Sequence, residues 1–147
     1  MKHLMAILFT IFSHTLLAQI KIDQSGEGWK EMVESAILLI ERTDPEKYEH
    51  LKNNVTKIGF WGGFYSSSEG TEIVISRDDI QLNSVENIAC VLIHESKHIE
   101  LRNSNMSLGD EECLCYLYEL DFIKKLNDPK FLLENCLYRL NQYECNI

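Results

Sequence analysis

The apolar residues Trp29, Met32, Val33, Ile37 and Ile40 recur three and four positions apart. That spacing predicts an amphipathic helix ending near Arg42-Thr43. Asp44-Pro45 then supplies a capping side chain followed by proline at the first helical position, so a second helix is expected to about Asn53. From Lys57 to Arg77 the pattern changes. KIGFWGGFY and EIVIS are β-favouring runs on either side of a polar SSSEGT tip, and they predict a hairpin or part of a small antiparallel sheet. Gly62-Gly63 inside the first run marks a bulge, a close backbone approach or a loop.

Asn83 with Glu86 three residues on is a capping-box arrangement. It opens a helix in which Val85, Ile88, Ala89, Val91, Leu92 and Ile93 cover much of the girth, expected to run to about Leu101 and to be largely buried. Asn103-Ser104-Asn105 breaks it. A further helix from about Leu108 to Leu126 carries Tyr116, Leu120 and Ile123 as an inward stripe, and Asp128-Pro129 starts a last one to about Tyr143. The expected class is α+β: N-terminal helices, a small sheet, a central helix and C-terminal helices.

The first 18 residues, MKHLMAILFTIFSHTLLA, combine Lys2, an apolar stretch from Leu4 to Leu17 and the small residue Ala18. This reads as a cleaved signal peptide, 1–18, leaving one domain over 19–147 in a secreted or periplasmic protein. The formal charge is −9, and loss of Lys2 makes it more negative. Such a surface repels phosphate backbones and anionic lipid, so neither nucleic acid nor a membrane is an expected partner once the leader is gone. Oligomeric state has no signature here.

All five cysteines, Cys90, Cys113, Cys115, Cys136 and Cys145, lie in the second half. Export makes one or two disulfides reasonable, and the odd count leaves at least one thiol over. Cys90 is expected in the core or paired with Cys113 or Cys115. Cys136 and Cys145 pair with each other or with that same segment.

The segment His94-Glu95-Ser96-Lys97-His98 carries the chemistry. Histidines four apart on a helix stack on one face about 6 Å apart along the axis, so both imidazoles can reach one metal ion. Imidazole suits zinc, and Glu95, about 100° round the helix, can face a water on that ion as general base. Cys90 is no further ligand to the same ion, because it stands about 12 Å from His98 along the axis.

TEIVIS, ENIACVLIHESKHIE and DEECLCYLYEL together resemble the zincin superfamily of metallopeptidases, and more narrowly the gluzincin-like group whose third ligand is a glutamate on a following helix. The pattern that continues to a glycine and a third histidine is absent, since Leu101 and Ser104 occupy those places. The resemblance implies a zincin-like fold, a Zn2+ cofactor held by His94 and His98, catalysis by Glu95, and hydrolysis of peptide bonds in peptide or protein substrates. For the third ligand Glu111 and Glu112 compete. Glu112 is favoured, because it heads the stripe through Tyr116 and because in similar small zincins the ligand precedes a small residue and an aromatic, here Cys115-Tyr116. Glu119 is a poorer ligand and a candidate partner for an imidazole, or simply exposed. The resemblance further implies that Thr71 to Ser76 is an exposed edge for extended substrate, and Tyr65, Tyr116 and Tyr118 are candidate oxyanion donors. Two alternatives belong to other classes: a non-catalytic, zinc-stabilised binding module of the envelope or secreted space, and a disulfide-stabilised partner subunit without metal.

Overall fold

The structure is a computed structural model that describes residues 20–23 and 28–145. The expected signal peptide lies outside the described residues. Among those described, no helix is long and apolar enough to cross a membrane. Six helices and a four-stranded sheet make an α+β architecture in the order β1 (Lys21–Ile22), α1 (Trp29–Thr43), α2 (Pro45–Asn54), β2 (Lys57–Trp61), β3 (Ser67–Glu69), β4 (Glu72–Ser76), α3 (Arg77–Gln81), α4 (Val85–Leu101), α5 (Leu108–Ile123) and α6 (Lys130–Gln142).

Helix α1 buries the expected stripe of Trp29, Val33, Ile37 and Ile40, together with Ala36. The Asp44 side chain caps α2 through the Lys47 amide, with Pro45 in the first turn. For α4 the cap is Ser84 rather than Asn83: Ser84 Oγ accepts from the Asn87 amide at 3.1 Å. Asn83 instead takes φ 48°, a left-handed conformation that asparagine tolerates and that turns the chain out of α3. Helix α5 stops at Ile123, three residues before the expected end, and α6 begins after Pro129, with Asp128 at φ 49°.

The sheet corrects the hairpin reading. Its order is β1-β2-β4-β3, and it is mixed rather than antiparallel. β2 runs parallel to both β1 and β4, and only β3 pairs antiparallel with β4. The segment read as a turn tip therefore contains a strand. The tight turn is the two-residue Gly70-Thr71 loop, where Gly70 has φ 59°, as a primed hairpin turn requires. Consequently β4 is interior, flanked by β2 and β3, and the edge is Ser67–Glu69 instead of Thr71 to Ser76. Gly63 lies just past β2, where a Cβ would overlap the Trp61 ring. Gly62 has open space around it, so the glycine pair marks the loop that follows β2 rather than a bulge.

Helix α4 is the hub of the molecule, packing against α1, α2, α5, β3 and β4. Ile58, Ile73 and Ile75 from the sheet meet Ile88, Leu92 and Ile93 of α4 in one core that is closed to solvent. One disulfide, Cys113–Cys145, joins α5 to the chain beyond α6, while Cys90, Cys115 and Cys136 are buried thiols. Neither expected pairing of Cys90 occurs, nor does a Cys136–Cys145 bond. Cys136 Sγ donates instead to the Tyr116 carbonyl oxygen at 3.4 Å.

Candidate metal centre

Helix α4 presents His94 and His98 one turn apart toward α5, and α5 answers with a row of acids. Spacing on α5 decides their roles. Glu112 and Glu119 are two turns apart on one face, and Glu111 is offset toward the His98 end. His94 Nε2 and His98 Nε2 approach to 3.2 Å. The two carboxylate oxygens of Glu112 lie 3.5 Å from them, one on each. Behind the rings, Glu119 Oε2 lies 3.1 Å from His94 Nδ1 and Glu111 Oε1 2.7 Å from His98 Nδ1. Of the two competing acids, Glu112 faces the inner nitrogens and Glu111 an outer one. Glu119 takes the imidazole-partner role.

These contacts fix the tautomers that a neutral pair would adopt. Each Nδ1 faces a carboxylate oxygen and so carries the proton it donates, which leaves each Nε2 with a lone pair. Two such lone pairs 3.2 Å apart, joined by a carboxylate, repel one another unless a proton or a metal cation stands among them. The donor set therefore fits a cation. Imidazole and carboxylate are zinc ligands, and neighbouring ligand atoms in a tetrahedral shell lie roughly 3.3 Å apart, as Zn–N and Zn–O bonds near 2.0 Å require.

A fourth donor was not foreseen. Cys115, one turn beyond Glu112 on α5 and fully buried, has Sγ within 4.8 Å of the ligand nitrogens of both histidines. Burial and the charges of Glu112, Glu111 and Glu95 hold its thiol proton far above the ordinary range. Glu112 needs no such deprotonation. Burial opposes its ionisation, but the hydrogen bond from His94, the charges of both histidines and that of Arg139 outweigh burial and keep its carboxyl below the usual value. For His94, burial disfavours the charged ring, yet hydrogen bonds to Glu112 and Glu119 lift its pKa to about 10. Glu95 goes the other way. Burial raises it, and the opposing charges of His94 and His98 only partly offset that.

The centre opens into a cleft of about 540 Å3. It is lined by Ser66, Ser67 and Ser68 at the β3 edge and by Tyr116, Arg139 and Tyr143. The serine side is held from below: Asp79 Oδ2 accepts from Ser66 Oγ at 2.5 Å and Ser76 Oγ at 2.7 Å, and Ser66 Oγ accepts from the Ser76 amide at 2.8 Å. Tyr116 leans on His94 with ring centroids 4.4 Å apart and stacks with Tyr143 at 6.0 Å. Of the other two candidate tyrosines, Tyr65 lines the cleft while being largely exposed. Tyr118 is elsewhere, under Lys47 Nζ at 3.7 Å and against His50. The serine edge and Arg139 carried no motif in the sequence, because nothing local connects them with residues 94–98.

Comparison with family models, with curated proteins and with solved structures finds no match.

Proposed function

We propose that the chain is a small exported zinc-dependent metallopeptidase, with His94, His98 and Glu112 as the metal ligands and Glu95 as the general base. The observation that carries this reading is the convergence of two imidazole Nε2 atoms and both oxygens of one carboxylate, each imidazole backed by its own acid. Acids behind histidine ligands orient the rings and raise their basicity, an arrangement found at metal sites. A bound zinc supplies Lewis acidity, polarising a peptide carbonyl and acidifying water.

The chain's own residues do the rest. Glu95 sits at the cleft floor with only 7% of its surface exposed. Its raised pKa suits it to take a proton from the attacking water and return it to the leaving amine. Tyr116, kept protonated mainly by burial, is placed to donate toward the developing oxyanion. The free side of β3 offers backbone groups along which an extended peptide can lie.

A second reading has one observation in its favour. If Cys115 completes the shell, the site is closed in the manner of structural zinc, and the protein is a zinc-stabilised binding module. The deciding experiment measures zinc content and cleavage of a peptide library by the purified protein and by Glu95→Gln. The expected result is about one zinc per chain in both, with cleavage in the wild type falling at least 100-fold in the variant. Equal zinc with no cleavage by either supports the module. No zinc at all removes both readings.

A further inference from the structure

Arg139 lines both the cleft before the metal centre and a second recess that shares His94, Glu95 and Tyr116 with it. Its only hydrogen bond among the described residues is from NH1 to the Gln142 amide oxygen at 3.3 Å. No ion pair of the described residues includes it, although the chain carries 23 acids against 14 lysines and arginines. The other arginine of the cleft, Arg102, is engaged by the Gly70 carbonyl. The acids nearby are also engaged: Glu111 and Glu119 with histidine Nδ1 atoms, Glu112 with both Nε2 atoms. A half-buried guanidinium in an acidic protein ordinarily takes a carboxylate, because its fork matches two oxygens at once. Here Arg139 lines open cleft instead and has no carboxylate partner among the described residues.

We propose that Arg139 is the substrate anchor, and that it takes a carboxylate of the bound peptide. This rests on the metallopeptidase reading for the reaction but not for the binding. The carboxylate has two possible sources in a peptide, the free C-terminus or an Asp or Glu side chain. Either makes the enzyme selective for acidic ligands despite its negative charge. A peptide lying along β3 with its backbone across the metal centre shares the cleft with Arg139, so a carboxylate it carries into that cleft finds the guanidinium as its partner. Arg139 is in this sense a specificity residue, distinct from the groups that move protons.

The test uses peptides in matched pairs: free C-terminus against C-terminal amide, and Asp or Glu against Asn or Gln. Binding to the zinc-loaded Glu95→Gln protein is measured by calorimetry, and KM and kcat are measured on the wild type. The acid member of at least one pair should bind about tenfold or more tightly, as a charge-assisted bidentate contact implies. The pair that discriminates identifies the source. Arg139→Gln should erase that difference by weakening the acid member alone, and Arg139→Lys should restore part of it. Equal affinities within every pair for the wild type overturn the proposal without any variant. So does an Arg139→Gln protein that loses kcat equally for both members at unchanged KM, which would mean that the guanidinium serves the reacting carbonyl. Discrimination without cleavage sinks the peptidase reading and leaves the anchor standing. Cleavage without discrimination does the reverse.

Discussion

Two neutral imidazoles held with their Nε2 atoms 3.2 Å apart demand positive charge between them, and the acids behind them sharpen it. Each Nδ1 proton is held by a carboxylate at 2.7 to 3.1 Å, so neither ring can relieve the clash by changing tautomer without breaking that bond. Removing one of these acids should therefore weaken zinc binding without removing a ligand. Glu119→Gln is expected to lower zinc affinity 10- to 100-fold, measured by competition with a chromophoric chelator. An unchanged affinity would mean that Glu119 merely fills space. The choice between Glu112 and Cys115 is decided by cobalt substitution. With His94, His98 and Glu112 as ligands, the Co2+ protein should lack the intense near-ultraviolet band of a thiolate–metal bond, and Cys115→Ser should leave the visible spectrum as it was. A strong band that disappears in Cys115→Ser would make the site closed. At this scale helical spacing was what the sequence could supply. The proximity of His94 and His98 and the placement of Glu95 beside them follow from the angle between side chains on a helix, while the preference for Glu112 drew also on the resemblance to small zincins. Arg139, on a helix 27 residues beyond Glu112 in sequence, carried no such signal.

Elements that end in side-chain caps were readable, and the element defined by long-range pairing was not. Asp44-Pro45 and the apolar periodicities placed α1, α2, α4 and α5 to within a few residues. The sheet was misread because SSSEGT has turn composition, and Ser67–Glu69 becomes a strand only by pairing with β4 and closing over α4. Burial cannot reveal such a strand, since an edge exposes polar side chains whichever way it pairs. Helix α3 was too short to show a period. Yet α3 holds the edge in place. Asp79 receives hydroxyl hydrogen bonds from Ser66 and Ser76, tying the start of β3 to the end of β4. Asp79→Ala should destabilise the fold by about 1–3 kcal/mol, from the lost charged hydrogen bonds. It should also speed amide exchange selectively over residues 66–69. Zinc content should not change, because every proposed ligand lies on α4 or α5. Peptide affinity should fall. If residues 66–69 exchange no faster than in the wild type, the edge is held by its ladder alone and Asp79 has no part in it.

Across the whole molecule, the candidate centre sits between the layer around α4 and a second layer made of α5 and α6. Helix α4 is fastened on several sides by α1, α2 and the sheet, so His94 and His98 inherit the rigidity of the core. The acids come from α5, whose first turns are exposed around Leu108 and Leu114, and α6 carries the large exposed side chains Phe131 and Tyr138. Leu120, Phe122, Ile123, Cys136 and Leu140 pack this second layer into the core, and the Cys113–Cys145 bond ties it further: it spans 32 residues, starts one position after Glu112 and ends two after Tyr143. Closing a loop of that length removes chain entropy from the unfolded state worth about 3–4 kcal/mol. For a domain of this size that corresponds to a fall in Tm of roughly 10 °C when the bond is lost. The double variant Cys113→Ser with Cys145→Ser should show that fall in calorimetry. Because the bond adjoins the proposed ligand Glu112, zinc affinity should drop with it, so the loss of Tm should be larger with zinc present than after chelation, each compared with the wild type under the same condition. An equal loss in both conditions would show that the disulfide restrains only the unfolded chain and does not hold Glu112 toward the histidines.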